Sequence, residues 1–237
     1  ELHRDGFILF SLLNLSAMKT YIPQFIAALT CLLLLSFDVM AQNFIWHPAS
    51  GTSGKNILNW RPATCNATGS FFPDATDTLV FDGNCSNANC VLDTTIDVAK
   101  INVKSNYTGT ISTSTGITLT SDISIFKGGT FTAGSITLNF TEQLEINGTA
   151  FTASSGTTNI IGDFIYKGSS FTHNSGTVVF KRASNTTTVI NGTSNGATTL
   201  TLYKTEFAAS TQNSQFNIRN ITIEVTNELK LSGTYQL

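Results

Sequence analysis

Three carboxylates, Asp122, Glu142 and Asp163, recur about every twenty residues. Stacked on successive turns of a repeating fold, they would suit glycoside hydrolysis, which needs two carboxyl groups about 5–9.5 Å apart. Like charges at that spacing equally suit solvated turn residues, and no Arg or Lys recurs beside them; the turn role is expected. A second acidic group, "DATDTLVFDG", offers Asp74, Asp77 and Asp82 as oxygen donors of the kind Ca²⁺ takes. It lacks a regular Gly-Asp ligand loop, so capping and turn roles are expected there too. His47 and His173 have no Ser or Cys nucleophile pattern beside them. His173 directly follows a Phe-Thr pair, a position expected at a turn or in solvent. The loops "GTSG" (51–54) and "GNCSNANC" (83–90) lack the Gly-Lys-Thr of a phosphate cradle. No catalytic set, cofactor or resident metal is expected, and the chain reads as a non-enzyme.

Cysteine chemistry depends on the compartment. From Met18 the chain reads "MKTYIPQFIAALTCLLLLSFDVMAQ": one early positive charge, an apolar run from Phe25 to Phe37, then Val39 and Ala41 where a signal peptidase reads small side chains. Residues 18–41 are therefore expected to be a signal peptide cleaved before Gln42. The apolar run is shorter than the roughly 20 residues a membrane span needs, so no span is expected after cleavage. Residues 1–17 read as an upstream extension, and His3 falls within it. Cys31 lies in the apolar run as part of the leader. Three cysteines follow: Cys65, Cys85 and Cys90. In an exported chain disulfides persist, and "CSNANC" closes a small loop that makes Cys85–Cys90 a candidate pair, with Cys65 to either partner as the alternatives. One thiol is left over, and ligands for zinc are too few.

What must position these residues is a repeat. "SDISIFKGGTFTAGSITLNF" (121–140), "TEQLEINGTAFTASSGTTNI" (141–160) and "IGDFIYKGSSFTHNSGTVVF" (161–180) align column by column. Gly128, Gly148 and Gly168 share a column, as do Phe131, Phe151 and Phe171. A fixed short period of alternating apolar residues marks a solenoid, and no row carries a helical pattern long enough for a crossover helix. The fold expected is all-β, a parallel β-helix or β-solenoid with coils of about 20 residues over 78–237. The Phe residues would stack along the interior about 4.8 Å apart, and the glycines would mark corners needing a positive φ or a close backbone approach. Residues 42–77 hold Trp46, Trp60 and three of the four prolines. They are expected to form an irregular cap over the edge of the first coil. "DTLVFDG" (77–83) reads as the first true strand. From Lys181 to about Asn227 the period is lost, with longer coils and a loop over 181–198. The last row breaks off at Leu237, and the native chain is expected to continue.

Composition narrows the partners. The net charge is −2, only 12% of residues are charged, and no run of Lys or Arg appears, so no nucleic-acid partner is expected. The 41% hydrophobic content and 17 Phe argue for a folded chain over low-complexity disorder.

The signal peptide ending Ala-Gln, the opener Trp46…Asn59-Trp60, the strand after Pro73 and Asp77, "YTGTI" (107–111) and the rows of "GGTFT", "SGT" and "HNSGTVVF" resemble exported surface proteins of Bacteroidetes. The resemblance covers about 42–237. It implies a large, adhesin-like repeat protein, often delivered by type IX secretion through a C-terminal sorting domain, and it brings no catalytic residues with it. The function expected is that of a secreted or cell-surface structural or adhesive protein whose rigid solenoid makes weak multivalent contacts with glycans or cells. The alternatives are a carbohydrate-active β-helix of lyase or hydrolase type and a passive scaffold for a further C-terminal domain.

Overall fold

A computed structural model describes residues 41–69, 71–168, 170–182, 187–192, 198–209 and 215–233. Residues 1–17, the leader up to Met40 with Cys31, residues 183–186 and 193–197 of the expected loop, and the end of the chain beyond Gly233 lie outside the described residues. From Ala41 onward the chain forms one compact unit.

Strands form where Thr, Val, Ile and Phe alternate with polar residues, because a pleated backbone sends successive side chains to opposite faces. Strand β1 (Asn43–Trp46), a 3₁₀ turn (Ile57–Asn59) and β2 (Trp60–Pro62) make up the N-terminal region. The coils then run β3 (Thr78–Phe81), β4 (Cys90–Leu92) and β5 (Ile96–Val103); β6 (Thr110–Thr113) and β7 (Thr118–Phe126); β8 (Thr130–Thr132) and β9 (Thr137–Asn147). They continue with β10 (Ala150–Thr152), β11 (Thr157–Ile160) and β12 (Asp163–Lys167); β13 (Ser170–Thr172), β14 (Thr177–Arg182) and β15 (Thr187–Asn191); and β16 (Thr198–Ala209), β17 (Gln215–Arg219) and β18 (Ile221–Gly233). Among the described residues there is no α-helix.

Among the described residues every strand pairing is parallel except β1 with β2. The large sheet runs β18-β16-β14-β11-β9-β7-β5-β3-β1-β2, with β12, β15 and β17 branching from β9. The smaller sheet runs β13-β10-β8-β6-β4. This is a parallel β-solenoid. Its register is set by the repeat: Phe131 pairs with Phe151 and Phe151 with Phe171. Outside these rows the coils lengthen, with Thr78 beside Lys100 and Thr177 beside Lys204, so that the mean is about 22 residues over about six turns.

The core is the stacked interior of the coils. Phe131 and Phe151 are stacked at 4.8 Å and Phe151 and Phe171 at 5.8 Å, with Phe126 edge-on to Phe151 at 5.2 Å. Phe180 stacks on Phe207 at 5.2 Å to continue the interior toward the last coil. At the corners Gly148 and Gly168 take positive φ, +74° and +62°. In the preceding row the left-handed residue is Gly129, one position later. There Gly128 serves close approach instead, since a Cβ on it would lie 2.3 Å from the Lys104 carbonyl oxygen.

Trp46 and Trp60 are fully buried over the first coil, 5.1 Å apart and edge to face, and both lie against Phe81. Each indole N–H has a partner, as a buried donor requires: Trp60 donates to the Gly54 carbonyl at 2.7 Å, and Trp46 donates to the Ala88 carbonyl at 2.9 Å. Asn59, also fully buried, accepts from the Ala49 N–H and donates to the Ser50 and Ser53 carbonyls. It thereby folds the 47–59 loop around itself.

The disulfide joins Cys65 to Cys85, not Cys85 to Cys90. Cys90 faces the interior of β4, in register with Ile111, and its thiol is buried and free. Cys85 sits outside, in the turn that follows β3, within reach of the N-terminal region. The small "CSNANC" loop therefore places its two cysteines on opposite sides of the wall. Burial, with a smaller push from Asp93, holds the Cys90 thiol well above its usual pKa and suppresses the reactive thiolate. In the polypeptide from Gln42 to Leu237 without reductant, alkylation should label no cysteine in the native state and one after unfolding in urea. A native-state label on Cys65 would overturn this pairing.

Candidate functional site

The small sheet presents the most regular outer surface. Because Ile111, Phe131, Phe151 and Phe171 point inward, the residues flanking them point out. One row runs Thr110, Thr130, Ala150, Ser170 and the other Ser112, Thr132, Thr152, Thr172, each in register with the next. Neighbours within a row are about 4.8 Å apart, and the two rows are separated by about 6.6 Å along the strand. None of β4, β6, β8, β10 or β13 contains a charged residue. The ion pairs belong instead at or beside the strands of the large sheet: Asp82–Lys104, Glu145–Lys167, Lys204–Glu228 and Glu206–Lys230. A surface of hydroxyls and methyls without charge can donate and accept hydrogen bonds but offers nothing to neutralise an anion.

An aromatic pair flanks this face where β13 meets β16. His173 stacks on Tyr203 at 5.6 Å, and the Tyr203 hydroxyl accepts from the Asn227 side chain at 2.9 Å. His173 Nδ1 accepts the Ser175 N–H at 3.0 Å, which orients the ring. On the adjoining side, Thr118, Thr137 and Thr157 stack in register along an open groove that Ile117, Ser135 and Ile136 also line.

The three recurring carboxylates do not form a column. Between the Ser121–Phe140 and Ile123–Gln143 pairs, β9 carries one residue more than β7, a bulge of the kind that bends a strand at a corner. Asp122 consequently accepts from the Thr141 hydroxyl, Asp163 lies beside Gln143, and exposed Glu142 sits on the bulge. Asp163 is occupied in turn by the Val189 N–H at 2.9 Å.

The Asp74, Asp77 and Asp82 group is likewise turned toward the protein. Asp77 is buried and accepts from the Gln42 and Asp74 N–H groups, tying the N-terminal segment to the first coil. Asp74 accepts from the Thr76 N–H and hydroxyl, which hold its carboxyl below the usual range. Asp82 binds the Lys104 ammonium at 2.6 Å together with the Asn106 side chain and the Asn84 N–H. Burial opposes its charge, yet these donors prevail and hold the carboxyl below its ordinary value. Among the described residues no group of three His, Cys, Asp or Glu is placed to hold a metal ion, and no helix is long and apolar enough to cross a membrane.

Sequence reasoning missed three features: the segregation of charge onto one sheet, the His173–Tyr203 pair and the bulge at Glu142. The first was open to inspection, since the "TFT", "AFT" and "SFT" triplets are uncharged. The other two depend on coils whose length departs from twenty. Comparison with protein-family models, with curated proteins and with solved structures found no match to this chain.

Proposed function

We propose that the protein is an exported structural or adhesive repeat protein, at the outer cell surface or secreted, that uses its uncharged hydroxyl face for weak, repeated contact with neutral glycans. The observation that carries this reading is the pair of in-register rows Thr110–Ser170 and Ser112–Thr172 on a sheet without charge. A glycan chain lying along the coil axis would meet a donor and acceptor at each coil. Individually such contacts are weak, and repetition raises the overall affinity. The leader expected over 18–41 supports export, and the surface-protein resemblance supports an adhesive role in a bacterial envelope. The displaced carboxylates at Asp122, Glu142 and Asp163 favour binding over hydrolysis.

The test incubates the polypeptide Gln42–Leu237 with neutral and acidic polysaccharides and measures retained protein and released reducing ends in the same samples. Retention on neutral polysaccharide is expected, without product, and with loss of binding on Thr132→Lys combined with Thr152→Lys. Product that disappears in Asp122→Asn, Glu142→Gln or Asp163→Asn would replace this reading with an enzymatic one. Absence of both retention and product would leave a scaffold.

A further inference from the structure

Asn147 closes β9, Lys167 closes β12, and the two residues are paired in register. Their Cα atoms are therefore about 4.8 Å apart, with both side chains on the outer face of the wall. Gly148 and Gly168, both at positive φ, turn the chain immediately after them, so each residue sits at the fixed end of a strand. Two residues before Asn147, on the same face, is Glu145. It is only 7% exposed and is flanked in register by Ile125 and Ile165. Its Oε1 accepts from Lys167 Nζ at 3.0 Å and from Asn147 Nδ2 at 3.4 Å.

An ion pair with a half-exposed lysine contributes little to stability. What sets this one apart is the shared oxygen: a single buried carboxylate holds an amine and a carboxamide side by side on adjacent coils. That is a nucleophile, an electrophile and a proton carrier in one cluster.

We propose that Lys167 and Asn147 condense to an isopeptide bond that staples two successive coils. The step is an amide exchange: Lys167 Nζ attacks Asn147 Cγ, the Nζ–Cγ bond forms, and the Cγ–Nδ2 bond breaks. Lys167 enters as an ammonium and keeps one of its three N–H protons. Glu145 relays the other two to Nδ2, which departs as an ammonium ion, so atoms and charge balance. One amide replaces another, and no oxidant, reductant or cofactor takes part. Because Lys167 is 43% exposed and must first shed a proton, the step is slow. It has to occur only once in the life of each chain, and holding both groups on one rigid wall supplies the effective concentration that separate molecules lack. The staple needs no ligand and lies on the large sheet, away from the hydroxyl face. A pull that parts the coils breaks their hydrogen-bond ladder coil by coil, and a covalent link between 147 and 167 stops the separation there.

The test is intact-mass measurement and peptide mapping of the polypeptide Gln42–Leu237, which contains the whole hydrophobic core, before and after several days at physiological temperature. Chains lighter by one ammonia are expected to accumulate, and proteolysis should release a branched peptide joining Asn147 to Lys167. Lys167→Arg keeps the cation but removes the attacking amine, and should abolish the branch. Glu145→Gln keeps the shape but cannot relay protons, and should slow branching roughly a hundredfold or more. Circular dichroism checks that both variants fold; if either does not, the map of the unsubstituted chain decides by itself. Asn147 precedes Gly148, and cyclisation onto the Gly148 nitrogen would lose the same ammonia without a branch. Ammonia loss without the branched peptide would therefore overturn the proposal. So would a branch to Lys127, one residue past the Phe126–Ile146 pair on the other side of Asn147, or an unchanged sequence mass after incubation. Branching that is as fast in Glu145→Gln would overturn the role of the carboxylate.

Discussion

Replacing Phe151 with alanine should destabilise the solenoid by about 3–5 kcal/mol, the range for truncating a fully buried phenylalanine. The ring is stacked between Phe131 and Phe171, with Phe126 edge-on beside it. Its removal opens a cavity in the middle of the column, where coils on both sides are fixed by the backbone ladder and cannot close the gap. Phe171→Ala should cost less, since Phe171 is only half-buried and no phenylalanine follows it in the column. Thr132→Ala, on the outer side of β8, should change stability by no more than about 0.5 kcal/mol. Urea unfolding followed by circular dichroism gives all three values. The interior-stack account fails if Phe151→Ala costs under about 1 kcal/mol, or no more than Phe171→Ala.

The column of Phe131, Phe151 and Phe171 was legible in the sequence, because a constant period fixes register; the lower cost at Phe171 was not, since only the structure shows its half-burial. When a repeat has constant length, a sequence column is also a spatial column, and hydrogen-bonded neighbours can be read directly. The carboxylates show where this inference breaks. Asp122, Glu142 and Asp163 are spaced by twenty and twenty-one residues. Between β7 and β9 the register moves from nineteen to twenty at the bulge that carries Glu142. The next coil keeps a register of twenty, so Asp163 falls one place past Glu142 and lies beside Gln143. One inserted residue reverses the direction of every side chain after it until the register recovers. The cysteines fail for a related reason. Loop size between Cys85 and Cys90 says how near two residues stand, but not on which side of the wall each side chain falls. Cys90 belongs to a strand whose alternation sends it inward, and only pairing with Ile111 of the next coil reveals that. The N-terminal region was legible as a cover because two tryptophans have little else to pack against in so polar a segment. The buried, fourfold-bonded Asn59 was hidden, since an asparagine beside a loop reads equally well as a solvent-facing turn.

The second large effect is expected at that cover. Trp60→Ala should destabilise the protein by about 3–5 kcal/mol through lost packing, and the loss should begin locally. Trp60 is fully buried against Trp46 and Phe81, and its N–H satisfies the Gly54 carbonyl. Truncation leaves that buried acceptor unpaired as well as opening a large void. The segment's other attachments are the three-residue pairing of β1 with β3, the bonds of Gln42 to Asp77 and of the Trp46 N–H to the Ala88 carbonyl, the 52–55 loop bonded to Val91 and Asp93, and the Cys65–Cys85 bridge beyond β2. The bridge keeps the detached segment near its site, so reduction of the variant should add to its destabilisation. Hydrogen exchange separates local from global loss. Amides in β1 and β2 should exchange much faster in Trp60→Ala, while those of β8 to β11 keep most of their protection. Once β1 is released, the edge of β3 is exposed, and an uncovered parallel edge invites association with other chains. The variant should therefore aggregate below the temperature at which its central coils melt. Uniform loss of protection across all coils would show that the tryptophans stabilise the solenoid as a single cooperative unit, and not as the cover of one rim.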